Sequence, residues 1–334
     1  MSRSGHGRNG APTIYDIAAV AGVNPSTVSR ALSRPERVAE ATVARVKQAA
    51  QSLNYQANPI ARALHTGRLQ TIGLIVADLL NPVYFEVVRG AQAAAAAGNY
   101  TLVLAQSVED PEAEMLAAQR LAGTVDGQIL VTSRLDDSQI RELAEVKPVV
   151  VINREVQGVT SLAPEVGPVI GEALEHLWAT GQRRIAYLPG PLRSWANRQR
   201  SRALAEAVET RGMRLTVLDT QPPTREGGAA ALEQVLASGA STVFAYNDLM
   251  AIGLLQVCAR ASIHIPEQLG IIGFDDIFGA DFTTPALSTV RLPLFDCGAR
   301  ALSSLIHHIE QGEPAESSHI PGSQLILRGS LASV

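Results

Sequence analysis

Thr13-Ile14-Tyr15-Asp16-Ile17-Ala18-Ala19-Val20-Ala21-Gly22-Val23-Asn24-Pro25-Ser26-Thr27-Val28-Ser29-Arg30-Ala31-Leu32 reads as two short helices joined by a tight turn. Thr13 and Asp16 stand three apart, the spacing of a capping box, in which each side chain takes the other residue's free backbone amide. Ile14, Ile17, Ala18 and Ala21 then give an apolar stripe at helical spacing, and Gly22 stops that helix. Asn24 is placed to cap a second helix, with Pro25 at the first helical position, where a missing N–H costs nothing. The second helix is predicted over Pro25–Leu32, burying Val28, Ala31 and Leu32. Two helices joined by Ala21-Gly22-Val23, with small Ala18 at the crossing, meet the steric demands of a helix-turn-helix.

Beyond this stretch, Val43, Val46, Ala50 and Leu53 recur at helical spacing and predict a third helix over about 40–53. Residues 1–12 have no apolar period and read as a disordered basic arm. Residues 1–70 hold nine basic side chains against three acidic ones, a formal +6, while the rest of the chain carries –10. A polyanion therefore suits the first segment and not the remainder. Ser and Thr at the start of the second helix can reach base edges or phosphates, and Arg30 has the fork that pairs with guanine, a contact discriminating by about 1–3 kcal/mol, the plainer alternative for each being a phosphate contact alone. Asn58-Pro59 repeats the cap-and-proline signal, so residues 59–66 can form about two turns. A helix that short is marginal alone in water, since even good formers need about 12–15 residues. It is expected to order only on DNA, where Leu64 can wedge between base steps of the minor groove, the plainer alternative being a small contact between linker and core.

From Thr71 onward, short β-branched runs alternate with helical segments, the pattern of a parallel α/β architecture. Strands are predicted at about 71–76, 101–105, 128–131, 148–152, 184–188, 215–219, 242–246 and 269–274, with one more in the last eleven residues. The two groups of strands imply two doubly wound lobes, and ligands in such sheets bind beyond the carboxyl ends of the strands. That rule selects Asp78, Asn81, Tyr84 and Phe85 after the first strand and Ser194, Trp195, Asn197 and Arg198 after the fifth. It also selects Asn247 after the seventh and Phe274 with Asp275 after the eighth. Carboxylate, amide and guanidinium groups beside aromatic faces hold adjacent hydroxyls by paired hydrogen bonds while the rings cover C–H faces. Each has a plainer alternative: helix capping for Asp275 and Asn247, a structural ion pair for Arg198, core packing for Tyr84 and Phe85.

The stretch 13–32, continued by Leu53-Asn54-Tyr55 and Ala61-Arg62-Ala63-Leu64, resembles the headpiece and hinge of the lactose-repressor (LacI/GalR) family of bacterial regulators. The chain departs from that pattern at Val38-Ala39-Glu40, where the family has a serine cap, and at Ala57-Asn58-Pro59, where proline comes earlier. The resemblance extends over nearly the whole chain, because the family's regulatory cores are similar to periplasmic sugar-binding proteins. It implies a helix-turn-helix domain over 13–57, a hinge over 58–70 and an effector-binding core over 71–334. The core's first subdomain is expected over about 71–163 plus 294–319, and its second over about 164–293 plus 320–334. The implied DNA-contacting set is Thr13, Tyr15, Asn24, Pro25, Ser26, Thr27, Ser29 and Arg30, with Asn58, Ala61, Arg62 and the intercalating Leu64 from the hinge. Arg198, Asn247 and Asp275 match the family's effector positions.

The expected protein is a homodimeric transcription repressor that binds pseudo-palindromic double-stranded operator DNA and senses a sugar or nucleoside. Effector binding would close the lobes and alter how readily the paired hinge helices form. No cofactor is expected. A solute-binding protein is the rival suggested by the core alone; the absence of a leader-like apolar segment and the +6 headpiece argue against it and for a cytoplasmic, non-membrane protein. An enzyme on a Rossmann-like scaffold is less favoured, since no GxGxxG after a strand, P-loop, GxSxG elbow or metal-spaced His/Cys cluster occurs. Cys258 and Cys297 are too few for a disulfide framework and read as two buried thiols.

Overall fold

The computed structural model describes residues 12–55, 67–314 and 320–333, so the arm over 1–11 and the hinge positions Asn58, Ala61, Arg62 and Leu64 lie outside the described residues. The chain divides into two compact units between Leu69 and Gln70.

The first unit carries α1 (Ile14–Ala21), α2 (Pro25–Ser33) and α3 (Glu40–Ser52). The capping box forms: the Thr13 amide and hydroxyl both reach Asp16 Oδ2 at 2.7 Å. Gly22 sits at φ +65°, where a side chain would be strained, and the Val23 amide closes the turn on Ala18 O at 3.1 Å. Asn24 stands at the start of α2 but its side chain makes no capping hydrogen bond; Pro25 alone marks that start. Ile17, Ala18, Ala21, Val28, Ala31, Val46 and Ala49 form the core, with Val43, Ala50 and Leu53 packed partly against it. Leu32, expected inside, is exposed. One residue beyond Ala31 turns about 100° around the helix, which carries Leu32 to the rim beside Lys47, Ala50 and Tyr55.

The second unit holds two sheets. The first is all parallel, in the order β2 (Thr101–Gln106), β1 (Thr71–Val76), β3 (Gly127–Val131), β4 (Val149–Ile152), β5 (Thr160–Leu162). The second runs β11 (Gln324–Ile326), β10 (Ser288–Arg291), β9 (Gly270–Phe274), β8 (Thr242–Ala245), β6 (Arg184–Leu188), β7 (Arg214–Val217), with only β11 antiparallel. Strands β1, β3, β4, β8 and β9 read as continuous apolar runs because helices cover both faces of a parallel sheet. β5 and β10 carry no such run. Their three and four residues are rich in Ser and Thr, which is why periodicity did not reveal them.

Between strands lie α4 (Val83–Gly98), α5 (Pro111–Ala122), α6 (Asp137–Val146), α7 (Gly167–Ala179), α8 (Trp195–Glu209), α9 (Arg225–Ala230), α10 (Leu232–Ala237) and α11 (Asp248–Arg260), with α12 (Leu294–Gln311) after β10. The chain leaves the second sheet at β10, packs α12 against α4 and against β3 and β4 of the first, then returns as β11. The α4–α12 crossing is notched on both sides: a Cβ on Gly90 would lie 2.0 Å from Phe295 O, and one on Gly298 2.1 Å from Val87 O. Cys258 and Cys297 are free and buried.

Candidate functional site

In the first unit, α2 presents Ser26, Ser29 and Arg30 to solvent, with Pro25 and Thr27 half-buried, while Thr13, Tyr15 and Asn24 are exposed beside it. Tyr15 is 69% exposed, unusual for an aromatic ring that adds nothing to its own core. Arg30 Nε donates to Ser26 O one turn back at 3.1 Å, which lays the guanidinium along the helix surface.

In the second unit, the carboxyl ends of both sheets converge on one cleft lined by Asn81, Tyr84, Glu109, Thr132, Asn153, Arg200, Tyr246, Asn247 and Asp275, with Leu292 and Leu294 at its back. The cavity is about 30 Å³, room for two or three waters, so a sugar ring enters only if the lobes part. Four of the lining residues, Glu109, Thr132, Asn153 and Asp275, have positive φ (61°, 54°, 59° and 109°) without being glycine. Each follows the end of a strand. Backbone held there costs on the order of 1–3 kcal/mol per residue and concentrates at ligand clamps.

Arg200 organises the second lobe's wall. Its side chain is 3% exposed; Nη2 donates to Asp275 Oδ1 at 3.0 Å and Nη1 donates to Tyr246 O. The guanidinium lies 4.4 Å from the Phe274 ring centroid and 5.0 Å from that of Tyr246, so two aromatic faces support the cation. Its Nε is buried with no acceptor among the described residues. Burial pushes the Asp275 carboxyl up to about 6, against the pull of Arg200. Deeper in, Asp248 accepts from Thr289 Oγ1 at 2.6 Å and Ile277 N at 2.9 Å, and burial first, then Asp275, raises its carboxyl well above the usual range.

The first lobe's wall is built on Tyr84, whose hydroxyl meets Thr132 Oγ1 at 2.8 Å, and on Glu109, whose Oε2 accepts from Arg134 Nε at 2.7 Å and Nη2 at 2.6 Å. Burial first, then the Glu109 charge, raises the Tyr84 phenol.

Of the residues selected from sequence, Asn81, Tyr84, Asn247 and Asp275 line this cleft. Asn247 does two jobs: Oδ1 caps α11 by accepting from Met250 N at 2.9 Å, and Nδ2 donates to Pro223 O at 3.0 Å. Ser194 caps α8 and meets Tyr246 Oη at 3.0 Å, while Asn197 Oδ1 takes Tyr187 Oη and Gly190 N, so both hold the wall from behind. Phe274 is fully buried beneath Arg200. Asp78 accepts from Leu80 N in its own loop. Phe85 faces an adjoining groove with Phe278 and Phe282, and Trp195 lines another with Gln199 and Arg202. Arg198 is exposed and donates to Arg193 O at 3.3 Å. The guanidinium in the cleft belongs to Arg200, two residues on and about 200° around α8. The inner stripe Ala196, Asn197, Arg200, Leu204 and Val208 carries that signal. Glu109, Thr132 and Asn153, at the ends of β2, β3 and β4, were legible only by applying the strand-end rule to every strand.

The family pattern described as bacterial regulatory proteins of the lacI family matches residues 13–58, and a periplasmic-binding-protein-like domain matches residues 174–331. The HTH-type transcriptional repressor CytR of Escherichia coli (strain K12) is 30% identical over 338 residues, covering 96% of each chain. The chain belongs to the LacI family. Within it, the ribose operon repressor of the same strain is 32% identical over 314 residues, 90% of this chain and 93% of that one. The lac repressor dimer bound to operator and the anti-inducer ONPF superimposes with a TM-score of 0.86 over 97% of this chain and 100% of that one, at 23% identity, a likeness of fold. This LacI-family protein is thus a helix-turn-helix transcription regulator with a periplasmic-binding-protein-like core, and its relatives are repressors rather than enzymes. Among the described residues no helix is long and apolar enough to cross a membrane.

Proposed function

We propose that this regulator represses transcription by binding a pseudo-palindromic operator as a homodimer, and that an uncharged, hydroxyl-rich effector held between the core's lobes sets its DNA affinity. The observation that carries the effector reading is the buried Arg200–Asp275 pair at the cleft wall, with Arg200 Nε left without an acceptor among the described residues. A vicinal diol satisfies that arrangement by donating to Asp275 and accepting from Arg200. Asn247, Thr132 and Asn153 add neutral hydrogen-bonding groups, and Tyr84 and Tyr246 supply ring faces. The ribose operon repressor among the relatives supports a sugar or a sugar-bearing nucleoside.

On this reading α2 enters the major groove. Arg30 pairs with a guanine, Ser26, Thr27 and Ser29 meet bases or phosphates beside it, and Thr13, Tyr15, Asn24 and Pro25 fix the approach. The domain over 13–57 reads DNA, 58–70 links it through Asn58, Ala61, Arg62 and Leu64, and 71–334 senses. Coupling between cleft and DNA of about 1–3 kcal/mol gives a several-fold to hundredfold change in affinity. The test is fluorescence anisotropy of DNA from the chain's own upstream region, titrated with and without ribose, cytidine, adenosine and cellobiose. Saturable binding that weakens with salt and shifts at least fivefold with one of them is expected. Failure to bind duplex DNA at low ionic strength would overturn the reading.

A further inference from the structure

The two walls of the cleft repeat one device. In the second lobe, buried Arg200 backs Asp275; in the first, Arg134, also 3% exposed, backs Glu109. Arg134 is committed elsewhere on every side. Nε and Nη2 share Glu109 Oε2, Nη1 donates to Thr132 O at 2.7 Å, and its own amide donates to Glu114 Oε2 at 2.7 Å. Glu109 is not committed in the same way. Only Oε2 faces Arg134, and the residue lines the cavity with a side chain 27% exposed. It is also placed at conformational cost. Val108 and Glu109 have successive φ values of 51° and 61°, and a β-branched residue in that region is an outlier. The distortion is fixed by Ser107 N on Val76 O at 3.0 Å and Glu109 N on Ala77 O at 3.2 Å, which bend the end of β2 over the end of β1.

Charge completes the argument. Glu109, Arg200 and Asp275 are the charged residues that line the cavity among those described, and Arg134 stands behind Glu109. Two carboxylates and two guanidiniums cancel, and each guanidinium already has its counter-ion. A phosphate or carboxylate entering this space would meet two carboxylates and no spare cation, whereas a hydroxyl finds an oriented acceptor at each wall.

Resting on the effector reading above, we propose that Glu109 is a ligand-binding residue of the first lobe, positioned by Arg134, and that the opposed Glu109 and Asp275 carboxylates make the cleft select an uncharged polyol and reject its phosphate ester. Glu109 accepts from a hydroxyl at the end of the ligand remote from Asp275, so the ligand carries hydroxyls at both ends.

The experiment measures binding to the full chain by titration calorimetry, with thermal melting as a check on folding. The probes are D-ribose, D-glucose, cellobiose, cytidine and adenosine, each beside a phosphate ester of the same compound. The wild-type chain is expected to bind at least one neutral probe and to bind its ester at least tenfold more weakly. Glu109→Gln keeps the shape and removes the charge, leaving the cleft one unit positive. It is expected to weaken the neutral probe about ten- to a hundredfold and to narrow the neutral-to-ester ratio by at least tenfold, in a chain that still melts cooperatively but at a lower temperature, because buried Arg134 loses its counter-ion. Glu109→Asp keeps the charge and is expected to preserve the ratio while weakening both. A purely structural partner of Arg134 would not move that ratio. Neutral-probe affinity in Glu109→Gln equal to wild type would overturn the role of Glu109, and a wild-type preference for the ester would overturn the charge argument, both leaving the effector cleft intact. A wild-type chain that binds DNA and none of the ten probes would overturn the effector reading and this inference together.

Discussion

Arg200→Met separates what holds the core together from what the cleft recognises. The substitution keeps an unbranched apolar stem over Phe274 but removes the donor to Tyr246 O and the partner of Asp275, whose side chain is 7% exposed. Breaking a buried pair from one side costs about 3–5 kcal/mol, because the remaining charge is stranded out of water. Asp275 already has its carboxyl raised to about 6 by burial with Arg200 beside it, so without Arg200 it would take up a proton still more readily. For a domain of this size each kcal/mol is worth about 2–4 °C, so the core's melting temperature is expected to fall by about 6–20 °C. The double variant Arg200→Met with Asp275→Asn removes the stranded charge. It is expected to regain most of that loss, since replacing a whole buried pair is often nearly neutral. Neither variant would bind the effector. Thermal and urea melts of wild type, both single variants and the double variant close the cycle. A single variant within about 1 kcal/mol of wild type, or a double variant no more stable than Arg200→Met, would refute the assignment of Arg200 and Asp275 as a buried, mutually dependent pair.

Three further outcomes are expected. Asp275 carries its negative charge only above about 6, so neutral effector affinity should fall as pH drops from 7.5 to 5; the same raised value makes the group favour the folded state progressively as pH falls through that window, so melting and affinity move in opposite directions, and Asp275→Asn should flatten both trends. Arg30→Ala should weaken specific DNA by about 1–3 kcal/mol while leaving binding to unrelated duplex within about twofold, compared in one anisotropy series at fixed salt. Gly90→Ala drives a Cβ to 2.0 Å from Phe295 O, a backbone atom; overpacking of that kind costs about 1–3 kcal/mol and should appear as a lower urea midpoint of the core with headpiece helicity unchanged.

Much of the architecture was legible because its elements are locally self-consistent. The Thr13–Asp16 box, Gly22 and the apolar stripe through Ile17 and Ala21 all specify one turn, and nothing distant overrides them. β1, β3, β8 and β9 announced themselves by continuous apolar runs, whereas β5 and β10 are short, partly polar strands that take their geometry from the neighbours they pair with. The cleft was half legible. Strand ends located Asn81, Asn247 and Asp275, yet Arg198 and Arg200 differ only in which side of α8 they occupy, and that side is set by packing against the sheet. Glu109 was hidden for another reason: the backbone reversal that turns it inward at the end of β2 has no glycine to mark it.

The notched crossing of α4 and α12 bears on how the two ends of the sensing unit communicate. α4 begins beside Tyr84 at the cleft, and α12 begins at Leu294, directly after the chain crosses from the other sheet. Backbone meets backbone at Gly90 and Gly298, and near the far end a Cβ on Gly98 would lie 2.7 Å from Ile306 Cδ1. Two rods about 24 Å long that meet backbone to backbone at two points cannot slide past one another without breaking that contact. On the proposed effector reading, a shift imposed at the cleft end would be carried along this pair as by a stiff pushrod rather than absorbed as by a cushion.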